Sequence, residues 1–180
     1  MTQDHPNRKG LVHVYTGNGK GKTTAALGLA LRAVGHGFRV FMLQFMKKTG
    51  NYGEIVTAEK YLPGFTIVQS GLETFVDGDN PSPADIGLAQ KGLAIARKVI
   101  RENRHDLVIL DEINVALAYK LAPLAEVVEM IKNKPPELEL VLTGRYAPPE
   151  IMALGDVVSE VNLVRHPYQM GVEAREGIEY

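Results

Sequence analysis

Apolar residues along this chain fall in short dense runs separated by stretches of helical period, and that rhythm sets the expected architecture. Six runs have strand length: Val12–Tyr15, Arg39–Phe45, Thr66–Gln69, Leu107–Leu110, Glu139–Thr143 and Val157–Leu163. Val40 to Leu43 and Leu107 to Leu110 are apolar without alternation, as in strands covered on both faces of a parallel sheet. Helical patterns lie between them. Ala25–Val34 runs to Gly35-His36-Gly37, where glycine takes a left-handed cap, and Glu54–Tyr61 stops before Pro63. The clearest helix follows Ser82, an N-cap with Pro83 at the first helical position. Its Ile86, Ala89, Leu93, Ala96 and Ile100 share one face, while Lys91, Arg97, Lys98 and Arg101 turn away. Pro123–Asn133 and Pro148–Leu154 complete the set. Alternating strands and helices predict a doubly wound α/β domain: a mostly parallel sheet of about six strands with helices on both faces. Gly71–Pro83 is the longest irregular connection.

Composition narrows the function classes. At 180 residues the chain suits one domain, assigned to residues 11–180 behind a short polar arm at 1–10. Twenty basic against 21 acidic side chains leave a net charge of −1, which gives no broad attraction to nucleic acid. With no cysteine there is neither a disulfide nor a thiolate metal site. No apolar run approaches the ~20 residues that cross a bilayer, so the expected location is the cytoplasm, with no membrane partner. His13, His36 and His166 read as structural or exposed, and no Ser/His/Asp or Cys/His nucleophile is in view. The chemistry must come from bound ligands.

One such ligand is marked by residues 16–24, Thr-Gly-Asn-Gly-Lys-Gly-Lys-Thr-Thr, lying between the first strand and the first helix. Strand, glycine loop and helix in that order make a phosphate cradle, with loop N–H groups and the helix N-terminus facing the anion. Gly17, Asn18, Gly19, Gly21 and Thr24 form the loop, Lys22 reaches the outer phosphates, and the Thr23 hydroxyl meets Mg²⁺. Lys20 sits within the loop as a second cation. The spacing matches G-x-x-x-x-G-K-[ST] except that Thr16 stands at the first glycine. The Leu107–Leu110 run ends in Asp111-Glu112, acids placed to support the metal if their strand lies beside the loop strand, or to cap the helix that follows. Arg145, after Thr143-Gly144 at another strand end, either grips polyphosphate or is a solvated surface residue.

Several of these stretches together resemble one family. The loop Thr16–Ala26, Arg32-Ala33-Val34-Gly35-His36-Gly37, Gln44-Phe45, Leu110-Asp111-Glu112, Thr143-Gly144-Arg145 and the tail Gly177-Ile178-Glu179-Tyr180 recur in the same order in the P-loop ATP:corrinoid adenosyltransferases. The resemblance implies a P-loop NTPase-like domain that transfers the 5′-deoxyadenosyl group of ATP to the Co(I) of a reduced corrinoid and releases triphosphate. It implies that residues 17–24 cradle the phosphates, that Lys22, Lys20 and Arg145 neutralise their charge, and that Thr23 and Glu112, supported by Asp111, hold Mg²⁺. Arg32 is a further candidate on the nucleotide side. A homodimer and an electron-donating flavoprotein-type reductant are the implied partners. Where the family carries a Phe and a Trp that displace the lower cobalt ligand, this chain has Gly71-Leu72-Glu73-Thr74-Phe75, so Leu72 and Thr74 stand at those positions. About ten residues precede the first strand, too few for the N-terminal helix that covers the corrinoid in some relatives, so a more open site is expected. An ordinary P-loop ATPase or small-molecule kinase, and a non-catalytic carrier of ATP and corrinoid, are the competing expectations.

Overall fold

The structure, a computed structural model, describes residues 8–48, 50, 52–72 and 76–179. Thr74, Phe75 and most of the polar arm lie outside these described residues. Six strands, β1 (Val12–Thr16), β2 (Val40–Phe45), β3 (Phe65–Ser70), β4 (Leu107–Asp111), β5 (Glu139–Thr143) and β6 (Val157–Glu160), form one sheet in the order β3-β2-β4-β5-β1-β6. Every pairing is parallel. All six carboxyl ends therefore open on the same edge, where open α/β sheets bind ligands.

Side chains alternate between two cores. Val12, Val14, Phe41, Leu43, Phe45, Val108, Leu110, Leu140 and Leu142 face helices α3 (Pro83–Glu102), α4 (Ile113–Ala118), α5 (Leu124–Lys132) and α6 (Pro149–Met152). Val40, Met42, Leu107, Ile109 and Val141 face α1 (Lys22–Gly35) and α2 (Gly53–Tyr61) through Ala26, Ala30, Ala33 and Ala58. Small residues on α1 let its axis lie close to the sheet, which brings the helix N-terminus over the strand ends. In α3 the Ser82 hydroxyl accepts from Asp85 N at 3.1 Å and the Asp85 carboxylate accepts from Ser82 N at 3.3 Å, a reciprocal cap. No helix among the described residues is long and apolar enough to cross a membrane.

Three expectations need correction. β4 does not adjoin β1: β5 lies between them, and α1 crosses both β5 and β4 on its way to β2. The sixth strand ends at Glu160 and not Leu163, since Gly19 N donates to Val161 O at 2.7 Å and draws the chain off the sheet onto the loop. The helix expected at Pro148–Leu154 is one turn, Pro149–Met152. The helix expected after Asp111-Glu112 is short, Ile113–Ala118, and five of its six residues are buried.

Candidate active site at the carboxyl edge of the sheet

The loop after β1 is shaped by its glycines, for two different reasons. A Cβ at Gly17 would meet Val161 O at 2.5 Å, and one at Gly19 would meet Asn162 O at 2.7 Å. These two glycines let residues 161–162 close over the loop, and the Gly19 amide is engaged there and not turned to the cavity. Gly21 is different: its φ of 122° is combined with open space around the Cβ position, on the cavity side of the α1 N-terminus. Thr16, which replaces the first motif glycine, is buried, and its hydroxyl accepts from Ala147 N at 3.2 Å. It thus fixes the segment that carries Arg145 and Tyr146.

Lys22 folds back into its own loop, donating to Gly17 O at 2.6 Å and Gly19 O at 2.7 Å. Burial lowers its pKa, and the nearby Glu112 carboxylate opposes that shift. Thr23 donates from Oγ1 to Asp111 Oδ1 at 2.8 Å, and Thr143 donates to the same oxygen at 2.6 Å. Asp111 Oδ2 takes Gln44 Nε2 at 3.4 Å and the Lys47 ammonium at 3.2 Å. Gln44 also donates to Glu54 at 3.0 Å and accepts from Gln69 at 2.9 Å. Asp111 is fully buried and saturated, a positioning anchor for Thr23.

Glu112 stands apart from this network. Its backbone adopts φ 61°, a left-handed conformation uncommon for a non-glycine residue, and its N–H donates to Thr143 Oγ1 at 3.0 Å. It occupies the N-cap position of α4 without a side-chain cap bond, so the capping role is not what its carboxylate performs. Burial first, and then the neighbouring Asp111 charge, raise its pKa above the ordinary carboxylate range.

Two clefts meet here. One, of about 580 Å³, is lined by Gly19 to Thr24, Lys47, Glu112 and Arg145, and is closed by Gly177, Ile178 and Glu179 of the tail. The other, of about 710 Å³, is walled by Phe45, Tyr52, Leu72, Tyr119 and Tyr146 and shares Lys47, Glu112 and Arg145 with the first. Lys20 donates to Glu179 Oε1 at 2.5 Å and to Ile178 O at 3.2 Å, so the tail is tethered to the loop. Hydrogen bonds from Arg175 and then Lys20 push the Glu179 carboxyl down to about 2.

The sequence candidates Lys20, Gly21, Lys22, Thr23, Thr24, Glu112 and Arg145 are thus gathered at one cleft. Gly17 and Asn18 lie outside its wall, Leu72 lines the larger cleft, and Gly71 is in the wall of neither. Arg32 is not brought to the site. It is exposed ten residues along α1, ~15 Å from its start, beside Leu107 at the opposite edge of the sheet. Lys47, Glu54, Gln44 and Gln69 were missed. Gln69, Gln44, Asp111 and Thr143 lie at or one residue from the ends of four neighbouring strands at nearly matched register, each the last residue of its strand on the α1 and α2 side. That repeated polar ending is readable in the sequence once strand order is known.

An all-parallel sheet with a glycine loop joining β1 to α1, and a lysine and threonine opening that helix, defines a domain of the P-loop NTPase-like class. The sequence pattern of one family within it, described as ATP:corrinoid adenosyltransferase BtuR/CobO/CobP, matches residues 8–180, and the chain belongs to that family. It is 36% identical over 175 residues to a corrinoid adenosyltransferase of Sinorhizobium sp, covering 97% of this chain and 82% of the relative. It is 37% identical over 174 residues to one from Escherichia coli K12, covering 97% and 87%. A corrinoid adenosyltransferase of Salmonella typhimurium LT2 is 37% identical over 172 residues, covering 96% and 86%.

Proposed function

We propose that this protein transfers the 5′-deoxyadenosyl group of ATP to the cobalt of a reduced corrinoid, releasing triphosphate. The observation that carries this proposal is the meeting of two clefts of different character along one wall. The smaller has the cations and helix N-terminus that suit a polyphosphate. The larger has the aromatic and apolar walls that suit a broad macrocycle. Family membership supplies the identity of both substrates.

The chemistry needs no nucleophile from the protein, because the reduced cobalt of the substrate carries the attacking electron pair. The protein's task is to hold C5′ of ATP against that cobalt and to stabilise the charge gathering on the departing triphosphate. Lys22 leaves its two loop carbonyls for phosphate oxygens, exchanging neutral acceptors for charged ones. Gly21 and Thr24 contribute the opening amides of α1, Lys20 trades Glu179 for phosphate, and Arg145 closes the outer side.

A magnesium ion fits the donors present. Thr23 offers a hydroxyl held by Asp111, and Glu112 offers a carboxylate whose strained backbone and lack of a cap partner leave it turned to the cleft. Among the described residues no three His, Asp or Glu side chains enclose an ion. This agrees with a cation that takes one or two protein ligands and completes its shell with phosphate oxygens and water. Bound there, Mg²⁺ would neutralise charge on the polyphosphate.

Reduction of the corrinoid is assigned to a separate electron donor of the flavoprotein type, as family membership implies. The assembly is assigned as a homodimer, to which the exposed apolar side chains Val158, Val164, Tyr168 and Met170 are open. The test is anaerobic incubation with ATP, Mg²⁺ and chemically reduced cob(I)alamin. A light-sensitive Co–C spectrum with equimolar triphosphate is expected. ADP without a Co–C bond would return the protein to ordinary P-loop ATPases and kinases, and tight binding of both ligands without turnover would make it a carrier.

A further inference from the structure

Lys47 was not among the residues that the sequence singled out, yet among the described residues it is one of three side chains common to both clefts. The other two are Glu112, whose carboxyl group is no cation, and Arg145, which is exposed. The bond made in the proposed transfer joins an atom from each cleft, so C5′ and the oxygen it leaves must lie at the shared wall. Lys22 lines the smaller cleft and not the larger, so it is not at the shared wall.

The placement of Lys47 is built rather than incidental. Met46 has a left-handed φ of 56° at the end of β2, while its N–H still pairs with Ser70 O at 2.9 Å. The chain therefore turns sharply at the sheet edge. Gly71 makes room for that turn: a Cβ there would lie 2.4 Å from Met46 C and 2.5 Å from Lys47 N. The side chain is then steered by Asp111 Oδ2 at 3.2 Å and Glu54 Oε1 at 3.7 Å, and its ammonium lies 5.8 Å from the centre of the Tyr52 ring. It is about three-quarters buried, so a hydrogen bond from it to a developing anion is worth more than one from an exposed cation.

Resting on the adenosyl-transfer function proposed above, we propose that Lys47 is a catalytic residue whose ammonium donates to the triphosphate oxygen that leaves C5′. In the step, the cobalt electron pair becomes the Co–C5′ bond. The C5′–O pair stays on triphosphate, and Lys47 remains protonated throughout, moving from the Asp111 and Glu54 carboxylates to the departing oxygen. No proton or external electron is required. Gly71 acts through Lys47 as a positioning residue.

The test compares wild type with Lys47→Met, Lys47→Arg and Gly71→Ala in single-turnover formation of the Co–C bond from chemically supplied cob(I)alamin. ATP dissociation constants are measured by calorimetry on the same proteins. Lys47→Met should slow the bond-forming step by about 10²- to 10³-fold, the range for loss of one preorganised donor to a developing anion, while ATP affinity falls less than tenfold. Lys47→Arg should recover at least tenfold of the lost rate. Gly71→Ala keeps the ammonium but displaces its backbone, and should slow the step with little change in ATP affinity. Should Lys47→Met fold poorly, Lys47→Met with Glu54→Gln removes one of the two carboxylates left without the ammonium and carries the same rate prediction. A Lys47→Met rate within threefold of an active wild type would overturn the Lys47 role alone. So would rate and ATP affinity falling in equal proportion. Wild type that forms no Co–C bond at all would remove the transfer function itself.

Discussion

Replacing Asp111 by Asn tests the buried network beneath the site, because the shape is kept and only charge and one acceptor are lost. The amide oxygen still accepts the hydroxyls of Thr23 and Thr143, now 2.8 Å and 2.6 Å from the carboxylate, but as a neutral acceptor. Hydrogen bonds to charged groups contribute about 1.5–3 kcal/mol and neutral ones about 0.5–1.5, so these two together lose roughly 2 kcal/mol. On the other side the new NH₂ faces Gln44 Nε2 and the Lys47 ammonium, donor against donor. Removing one partner of a buried ion pair costs about 3–5 kcal/mol, but the Lys47 side chain is 24% exposed and can turn toward water. The combined loss should be about 3 kcal/mol. With a urea slope of about 2 kcal/mol per molar, the midpoint falls by about 1.5 M in circular-dichroism denaturation at pH 7 and fixed protein concentration. Lys47→Met added to Asp111→Asn should return at least ~1 kcal/mol, because the stranded ammonium is gone. A loss below about 1 kcal/mol, or strict additivity of the two substitutions, would refute the claim that Asp111 is the electrostatic anchor.

Three other outcomes follow from the same geometry. Glu112→Gln should stabilise the free protein at neutral pH and yet raise the Mg²⁺ concentration that turnover requires. Because burial raises the folded pKa of Glu112 above its ordinary 4.5, the ionised form costs stability as pH rises through that folded value; the variant's advantage should vanish below about 4.5, and an advantage independent of pH in thermal melts would contradict this. Lys20→Ala should free the tail, seen by mass spectrometry as faster tryptic cleavage after Arg175, and ATP should produce the same exposure in wild type by competing for Lys20; equal cleavage in all cases would mean the tail is not tethered there. Lys22→Ala should lower ATP affinity at least about a hundredfold in calorimetry, since a cation desolvated beside phosphate is removed, and unchanged affinity would remove the loop from the nucleotide site.

How far the sequence could be read depended on whether a feature was local. The buried runs Val40–Leu43 and Leu107–Leu110 and the Ser82-Pro83 helix start carry their own signals, and they folded as their patterns predict. The glycine loop was legible as a motif, but half of its reason was not. Gly17 and Gly19 are glycines because residues 161–162, far away in sequence, lie against them. Strand order was also hidden. Nothing local says that β5 separates β4 from β1, and so the bridging part played by Thr143 could not be seen. Lys47 lay in an unremarkable loop beside Lys48; its position depends on a positive φ at Met46 and a missing Cβ at Gly71, neither of which periodicity can report. Arg32 shows the reverse error, in which a residue within a recognisable stretch lies at the wrong end of its helix.

The central claim is attack at C5′, and the most direct test is the fate of the oxygen that bridges C5′ and the α-phosphorus. ATP carrying oxygen-18 at that bridge is turned over anaerobically with chemically reduced corrinoid, and the products are weighed by mass spectrometry. Adenosyl transfer predicts the full label in released triphosphate and none in the nucleoside bound to cobalt. Label retained in ADP or AMP would show cleavage at phosphorus and would contradict attack at C5′.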